Sequence, residues 1–255
     1  MKKLLLITAF IAGLGLAPAF AQFGPPGGGQ GPHLGGAINK LFGANKAFSG
    51  RLEMEVPAPT GGNITIAGKF NFDSGNSRFE VNVSEVKGGG IPASALQQIK
   101  SMGMDTVVTI TRQDLKATYM IYPGLKSYAS LPPQDANASA NLDDYKQEVA
   151  EQGKEAVDGH DCVKNKVTVS GKDGVKHEFT VWNATDLKNF PLKIEAQEDG
   201  QTVTMHYQEL SFDKPAASLF DAPAGFTKYD DMQKMMQAEV MKRMGGAAGV
   251  PPQKQ

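Results

Sequence analysis

One cysteine, Cys162, and one tryptophan, Trp182, occur in 255 residues, with only four histidines. A lone cysteine excludes an intrachain disulfide framework, so the fold must rest on an ordinary apolar core. Charge of either sign is in no surplus. Twenty-six basic residues against 27 acidic ones leave a net charge of −1, which excludes the basic excess that nucleic-acid partners need. After the first 21 residues no run approaches the ~18 apolar residues of a membrane helix. Gly88-Gly89-Gly90 lacks the Lys-Ser/Thr that a phosphate-binding loop requires, and no paired helix histidines occur. No nucleophile stands beside an evident base, so the sequence offers no catalytic residues and no cofactor site.

The few metal-capable side chains are spread out. His160, Cys162, His177 and His206 fall on separate strands or turns with irregular spacing, unlike the close ligand pairs of zinc sites. Cys162 opens a strand and reads as a small buried hydrophobe rather than a reactive thiol.

The ends of the chain differ from its middle. Lys2 and Lys3 precede an apolar run from Leu4 to Leu16, and Ala19-Phe20-Ala21 supplies a small-x-small cleavage site. Residues 1–21 are therefore expected to be a signal peptide cut before Gln22, with no transmembrane anchor left after cleavage. Loss of Lys2 and Lys3 moves the charge from −1 to −3. Residues 22–36 are rich in glycine and proline and read as a flexible leader, and 245–255 as a flexible tail. The expected location is the periplasm or the exterior. Four Asn-x-Ser/Thr sequences, at Asn63, Asn82, Asn137 and Asn183, read as strand and turn chemistry.

Residues 37–244 form the expected domain. Ile38, Leu41 and Phe42 have helical spacing within 37–48. From Gly50 the period becomes two. Leu52, Met54 and Val56 alternate with charged residues; Ile64, Ile66, Phe70 and Phe72 share one parity; Phe79, Val81 and Val83 follow. Turn residues at 57–63 and 73–76 separate these runs, so hairpin-linked strands with one wet face each are predicted. A helix is predicted over 92–102, and a helical tendency over 137–154. Further strands are predicted at 106–111, 116–122, 126–131 and through the alternating runs from Val163 to Tyr207. Nine to eleven strands result, in a meander with short connections. The fold class is mainly β: an open antiparallel barrel, covered by two or three helices.

The stretch Val157-Asp158-Gly159-His160-Asp161-Cys162, the run from Phe179 through Trp182 to Pro191, and Ser218-Leu219-Phe220-Asp221-Ala222-Pro223-Ala224-Gly225-Phe226 occur in that order. With Phe48-Ser49-Gly50-Arg51-Leu52 after a short helix, this order resembles the lipoprotein-carrier superfamily typified by LolA and LolB. It is most like that superfamily's poorly characterised branch of exported bacterial proteins. The resemblance implies an incomplete barrel whose helices lid an apolar concavity, which in the carriers holds lipoprotein acyl chains. The chain departs from the carriers in its Gly/Pro leader and Met-rich C-terminal helix, and none of its arginines matches the carriers' arginine latch.

Two functions lead at this point, ahead of a metal chaperone whose helix thioethers would bind cuprous copper. One is a non-enzymatic binding module for a lipid or acyl chain. Its wall would be Leu52, Met54, Phe70, Phe72, Phe79 and Val81, with Trp182 as a further pocket wall or a structural plug. Met232, Met235 and Met236 would form an adjustable cover, since unbranched thioethers adapt to irregular surfaces. In that helix Met232, Met236 and Val240 form the expected apolar stripe. The other is an interaction protein of the bacterial envelope with a filled core and no small ligand.

Overall fold

A computed structural model of the chain describes residues 35–58, 61–89, 92–132, 142–172, 174–198 and 200–247. The segment read as a signal peptide and most of that read as a leader lie outside the described residues. The strands are β1 (Ala47–Pro57), β2 (Asn63–Asp73), β3 (Asn76–Asn82), β4 (Lys87–Gly88), β5 (Thr106–Arg112), β6 (Ala117–Tyr122) and β7 (Ser127–Leu131). They continue with β8 (Lys146–Val157), β9 (His160–Ser170), β10 (Lys176–Ala184), β11 (Phe190–Glu198), β12 (Gln201–Ser211) and β13 (Thr227–Tyr229). The α-helices are α1 (Gly35–Leu41), α2 (Ala93–Ser101) and α3 (Met232–Ala247). Eleven strands have five residues or more; β4 and β13 add two short ones.

All thirteen strands of the described residues join one sheet in the order β13-β7-β6-β5-β3-β2-β1-β12-β11-β10-β9-β8, with β4 on the flank of β2. Every pairing is antiparallel except β13 with β7. The sheet is open: β8 and β13 end it, each with one neighbour among the described strands. Tight turns carry the meander. Ser74-Gly75 and Asp158-Gly159 both place two successive residues at positive φ, the backbone that matches strand twist in two-residue hairpins. The two ends of the meander meet where β1 pairs with β12, Leu52 opposite Tyr207.

Registers sort the side chains into two faces, because directly opposed residues share a face. The inner face carries the largest core: Phe48, Leu52, Met54, Phe72, Phe79, Val167, Val169, Phe179, Val181, Ile194, Met205 and Tyr207. Helix α1 and the residue after it cap that core with Ala37, Ile38, Leu41 and Phe42. Its approach is close: a Cβ on Gly36 would overlap the Tyr145 ring. Helix α2 bridges β4 and β5 and buries Ala95 and Ile99.

Two smaller clusters lie on the outer face. Val108, Ile110 and Ile121 are covered by Phe220, with Tyr119, Tyr128 and Phe226 packed alongside. The strap that brings Phe220 there is held by Arg112. Its guanidinium donates to both Asp114 carboxylate oxygens at 2.8 and 2.7 Å, and to Asp221 at 2.8 Å and the Phe220 carbonyl at 3.2 Å. The second cluster is Cys162, Trp182, Ala184 and Leu192.

Three expectations need correction. Residues 146–157 form strand β8, not a helix; 133–141 lie outside the described residues. Tertiary pairing with β9 along its whole length overrides the helical propensity of KQEVAEQGKEA, and Gly153 at φ 135° accommodates a bulge. The Met-helix stripe also differs. Among the described side chains of α3 Met235 and Glu239 are buried, whereas Val240 is half exposed and Met241 more so, because the helix meets the sheet along a line one residue away. Finally, Gly35 and Gly36 belong to α1 rather than the leader, and α3 continues through Ala247 into the segment read as tail. Residues 248–255 lie outside the described residues.

Candidate functional site

On the inner face, Leu52, Met54, Phe70, Phe72, Phe79 and Val81 come together as the alternation predicts. Phe72 and Phe48 are opposed across β1 and β2, Phe70 and Phe79 across β2 and β3, and Leu52, Gly68 and Val81 form a row across all three strands. Gly68 is required there: a Cβ would press into the Phe79 ring at 2.9 Å and overlap the Glu80 carbonyl. The Phe70–Phe79 row continues through β5 and β6, where Phe79 faces Thr109 and Thr109 faces Met120.

The inner face has two unlike halves. Toward β9–β12 it is sealed by rings. Phe42, Phe48, Phe72, Phe190 and Tyr207 are each at most 2 % exposed, and ring centroids lie 4.8–6.0 Å apart. These distances are those of favourable edge-to-face and offset pairs. Toward β2–β3 the apolar side chains Ile66, Phe70 and Val81 are packed against the core yet only partly buried. On β5–β7 the same face turns to Thr109, Thr118 and Ser127, all buried, beside Ala129.

Helix α3 lies over that far end. Met235 is fully buried, Met232 and Met236 are half-buried, and the helix packs against β7 and β13. Its anchor is a carboxylate. Glu239 accepts hydrogen bonds from Ser127 Oγ at 2.7 Å, Tyr229 Oη at 3.1 Å and Lys242 Nζ at 2.7 Å. Burial pushes its pKa up, and the three donors outweigh burial, holding the carboxyl below its ordinary range. Nearby, burial of the Tyr122 phenol pushes it up to about 12; its hydroxyl reaches Met120 Sδ at 3.9 Å.

Trp182 is on the other face, apart from the residues above. It lies between Lys164 and Lys193, whose Nζ atoms stand 4.8 and 4.3 Å from the ring, and its indole donates to Glu155 Oε2 at 2.9 Å. That hydrogen bond, with the nearby lysines, holds the Glu155 carboxyl below its usual range. The arrangement is a plug with a cation–π sandwich. Cys162 is buried beside it, and burial raises its thiol, which lowers thiolate reactivity. His160 pairs with Asp186 at 2.7 Å and His206 with Asp158 at 2.9 Å. Among the described residues no three His, Cys, Asp or Glu side chains converge as a metal site would need.

Residues not foreseen as part of this region are Phe48, Phe190, Tyr207, Ser127 and Glu239. Tyr207 shares the parity of Val203 and Met205, so alternation alone could have placed it on the inner face. Glu239, four residues after Met235 in a Met-rich helix, was the visible exception in that helix's composition.

No curated protein matches the chain. Among solved structures it is similar to a LolA superfamily protein from Nitrosomonas europaea, at 13 % identity and a TM-score of 0.39 over 72 % of this chain and 94 % of that one. It is also similar to a DUF1329 family protein from Desulfovibrio piger, with 13 % identity, a TM-score of 0.35 and coverage of 74 % and 95 %. A third is the lipoprotein LppX of Mycobacterium tuberculosis, with 12 % identity, a TM-score of 0.39 and coverage of 72 % and 97 %. Likeness at this level says nothing of a ligand. A family model described as a domain of unknown function (DUF4412) matches residues 48–190. As that match covers more than half of the sequence, the chain belongs to the DUF4412 family.

Proposed function

We propose that the protein is an extracytoplasmic, non-enzymatic module that shelters an apolar guest, such as a lipid or acyl chain, on its inner face beside α3. The observation that carries this reading is the partly open apolar surface of Ile66, Phe70 and Val81, continuous with a sealed aromatic core. Leu52, Met54, Phe72 and Phe79 support the wall from beneath, and Met232, Met235 and Met236 adapt the cover. Each 100 Å² of guest surface withdrawn from water there contributes about 2.5 kcal/mol, at ~25 cal/mol per Å². Trp182, on the outer face, takes no part. The export signal read from residues 1–21 places this work in the periplasm or outside the cell.

The near-complete burial of Phe48, Phe72, Phe190 and Tyr207 favours a second reading, a filled-core interaction protein of the envelope without a small ligand. Native mass spectrometry separates the two. Residues 22–255, purified from a bacterial periplasm, are expected to carry a stoichiometric lipid adduct that organic extraction removes and that a control periplasmic protein lacks. A clean mass and an unchanged melting temperature after extraction would favour the filled core.

A further inference from the structure

Two histidines that are far apart in the sequence hold one turn of the sheet. Asp158-Gly159 joins β8 to β9, and Val157 just before it packs on the outer-face cluster of Cys162, Trp182, Ala184 and Leu192. The turn is tied down on both sides. Asp158 Oδ2 lies 2.9 Å from His206 Nε2 on β12. His160, at the start of β9, donates from Nδ1 to Asp186 Oδ2 at 2.7 Å, in the loop between β10 and β11. The turn thus supplies the carboxylate of one pair and the imidazole of the other. The backbone adds to the seat: the Thr185 N–H and Oγ1 both donate to the Asp161 carbonyl at 3.0 Å.

The two contacts respond differently to a proton. Among the described residues His206 Nε2 is the one buried side-chain polar atom without a hydrogen bond, because Asp158 stands close to it but off the line of the N–H. A hydrogen bond fades steeply off line, whereas Coulomb attraction depends on distance alone. Asp158 therefore holds an imidazolium well and a neutral ring poorly. At His160 the aligned hydrogen bond becomes charge-assisted when the ring is protonated. That same bond is the foremost cause holding the Asp186 carboxyl below its ordinary range.

Other charges face these rings. Lys193 on β11 and Glu53 on β1 are directly opposite His206, with Arg51, Glu55 and Glu195 one pair along. All five stay on the sheet when the turn lifts. Near His160, Glu155 and Asp161 belong to its own hairpin, and Lys188, in the loop of Asp186, places its ammonium over Phe212 at 5.0 Å. The two histidine–carboxylate pairs are what distinguish a seated turn from a lifted one.

We propose that the β8–β9 turn is a proton-operated latch: charged His160 and His206 seat it on the outer face, and their neutral forms let it lift from the Trp182 cluster. The latch is independent of any guest on the inner face. Histidine is the side chain that changes charge between about pH 5 and 8. Seating adds attraction only to the charged rings, so the seated share grows as pH falls through that range. It declines again in stronger acid, where the carboxylates protonate.

The test is hydrogen exchange in the protein purified from a bacterial periplasm, corrected for intrinsic rates and compared at about pH 5.5 and about pH 8. The Thr185 amide and the amides of 157–162 report the turn; those of Val167 and Val169, in the body of β9, report the sheet. Protection of the turn is expected to be about fivefold greater at the lower pH, the scale of two partly exposed ion pairs, with no change at the sheet reporters. His160→Gln and His206→Gln should each lose part of that difference, and the double variant all of it. Asp158→Asn combined with Asp186→Asn leaves both rings in place and should lose it as well. Unaltered protection at Val167 and Val169 identifies the variants that keep their sheet, and the wild-type comparison stands without any of them. Equal protection of the wild-type turn at the two pH values overturns the latch, as does a difference that survives in either double variant.

Discussion

Replacing Phe48 by alanine asks how solid the sealed half of the inner face is. Phe48 has no exposed surface and touches five rings, with centroids at 4.8 Å from Phe42, 4.8 Å from Phe190, 5.2 Å from Phe72, 5.8 Å from Phe70 and 6.0 Å from Tyr207. Removing a buried ring of about 150 Å² forfeits roughly 4 kcal/mol at ~25 cal/mol per Å². The cavity left behind keeps the expected loss within about 3–5 kcal/mol. Phe48→Leu, which retains most of the bulk, should cost only about 1–1.5 kcal/mol. Urea unfolding reads this directly, and Trp182, the single tryptophan, supplies the fluorescence from the opposite face. With a slope near 2 kcal/mol per molar, the alanine variant's midpoint should fall by about 2 M. A loss under about 1 kcal/mol at unchanged slope would mean that the neighbouring rings collapse into the gap. The description of the half as tightly packed would then be wrong.

Four further outcomes are expected. Glu239→Ala removes the common acceptor of Ser127, Tyr229 and Lys242, so trypsin should cut α3 about tenfold faster while the sheet's melting changes little; unchanged cutting would assign the helix's attachment to Met235. Because the folded Glu239 carboxyl is held low, its stabilisation is present above its unfolded value of about 4.3 and is lost as pH falls through the folded value. Protection of α3 amides against exchange, corrected for their intrinsic rates, should thus fall as the pH drops below that unfolded value, and far less so in Glu239→Gln. Gly36→Ala drives a methyl into the Tyr145 ring and should cost about 1–3 kcal/mol, largely relieved when Tyr145→Ala accompanies it; an additive double variant would deny the contact. Cys162 should resist a disulfide reagent at pH 8 in the native protein and react at once in denaturant, whereas rapid native labelling would contradict its burial.

The inner face was legible because its period is local. Leu52, Met54, Phe70, Phe72, Phe79 and Val81 fall on one parity within strands bounded by clear turns, and the sheet places them together. β8 was not legible. Lys146 to Ala156 are mostly helix formers, and what makes them a strand is β9, reached through the Asp158-Gly159 turn. The placement of Trp182 needed registers, since a bulge between Trp182 and Asn183 breaks simple parity counting near that point. In α3, composition marked an unusual helix, but the side that meets β7 depends on where β13 delivers the chain. Glu239 and Ser127, 112 residues apart, meet only in three dimensions.

The pairing of Leu52 with Tyr207 has a consequence for the order in which the protein is made. β1 is the first of the described strands to leave the ribosome, and β12, which completes its outer flank, arrives some 150 residues later in the sequence. Until then the early strands present an unpaired edge and half of a hydrophobic core to whatever is near. Such long-range closure is slow, because its loop entropy must be met before the contacts form. Helper proteins that hold emerging chains would find their substrate in this interval, and a chain cut short of Ser211 would never leave it.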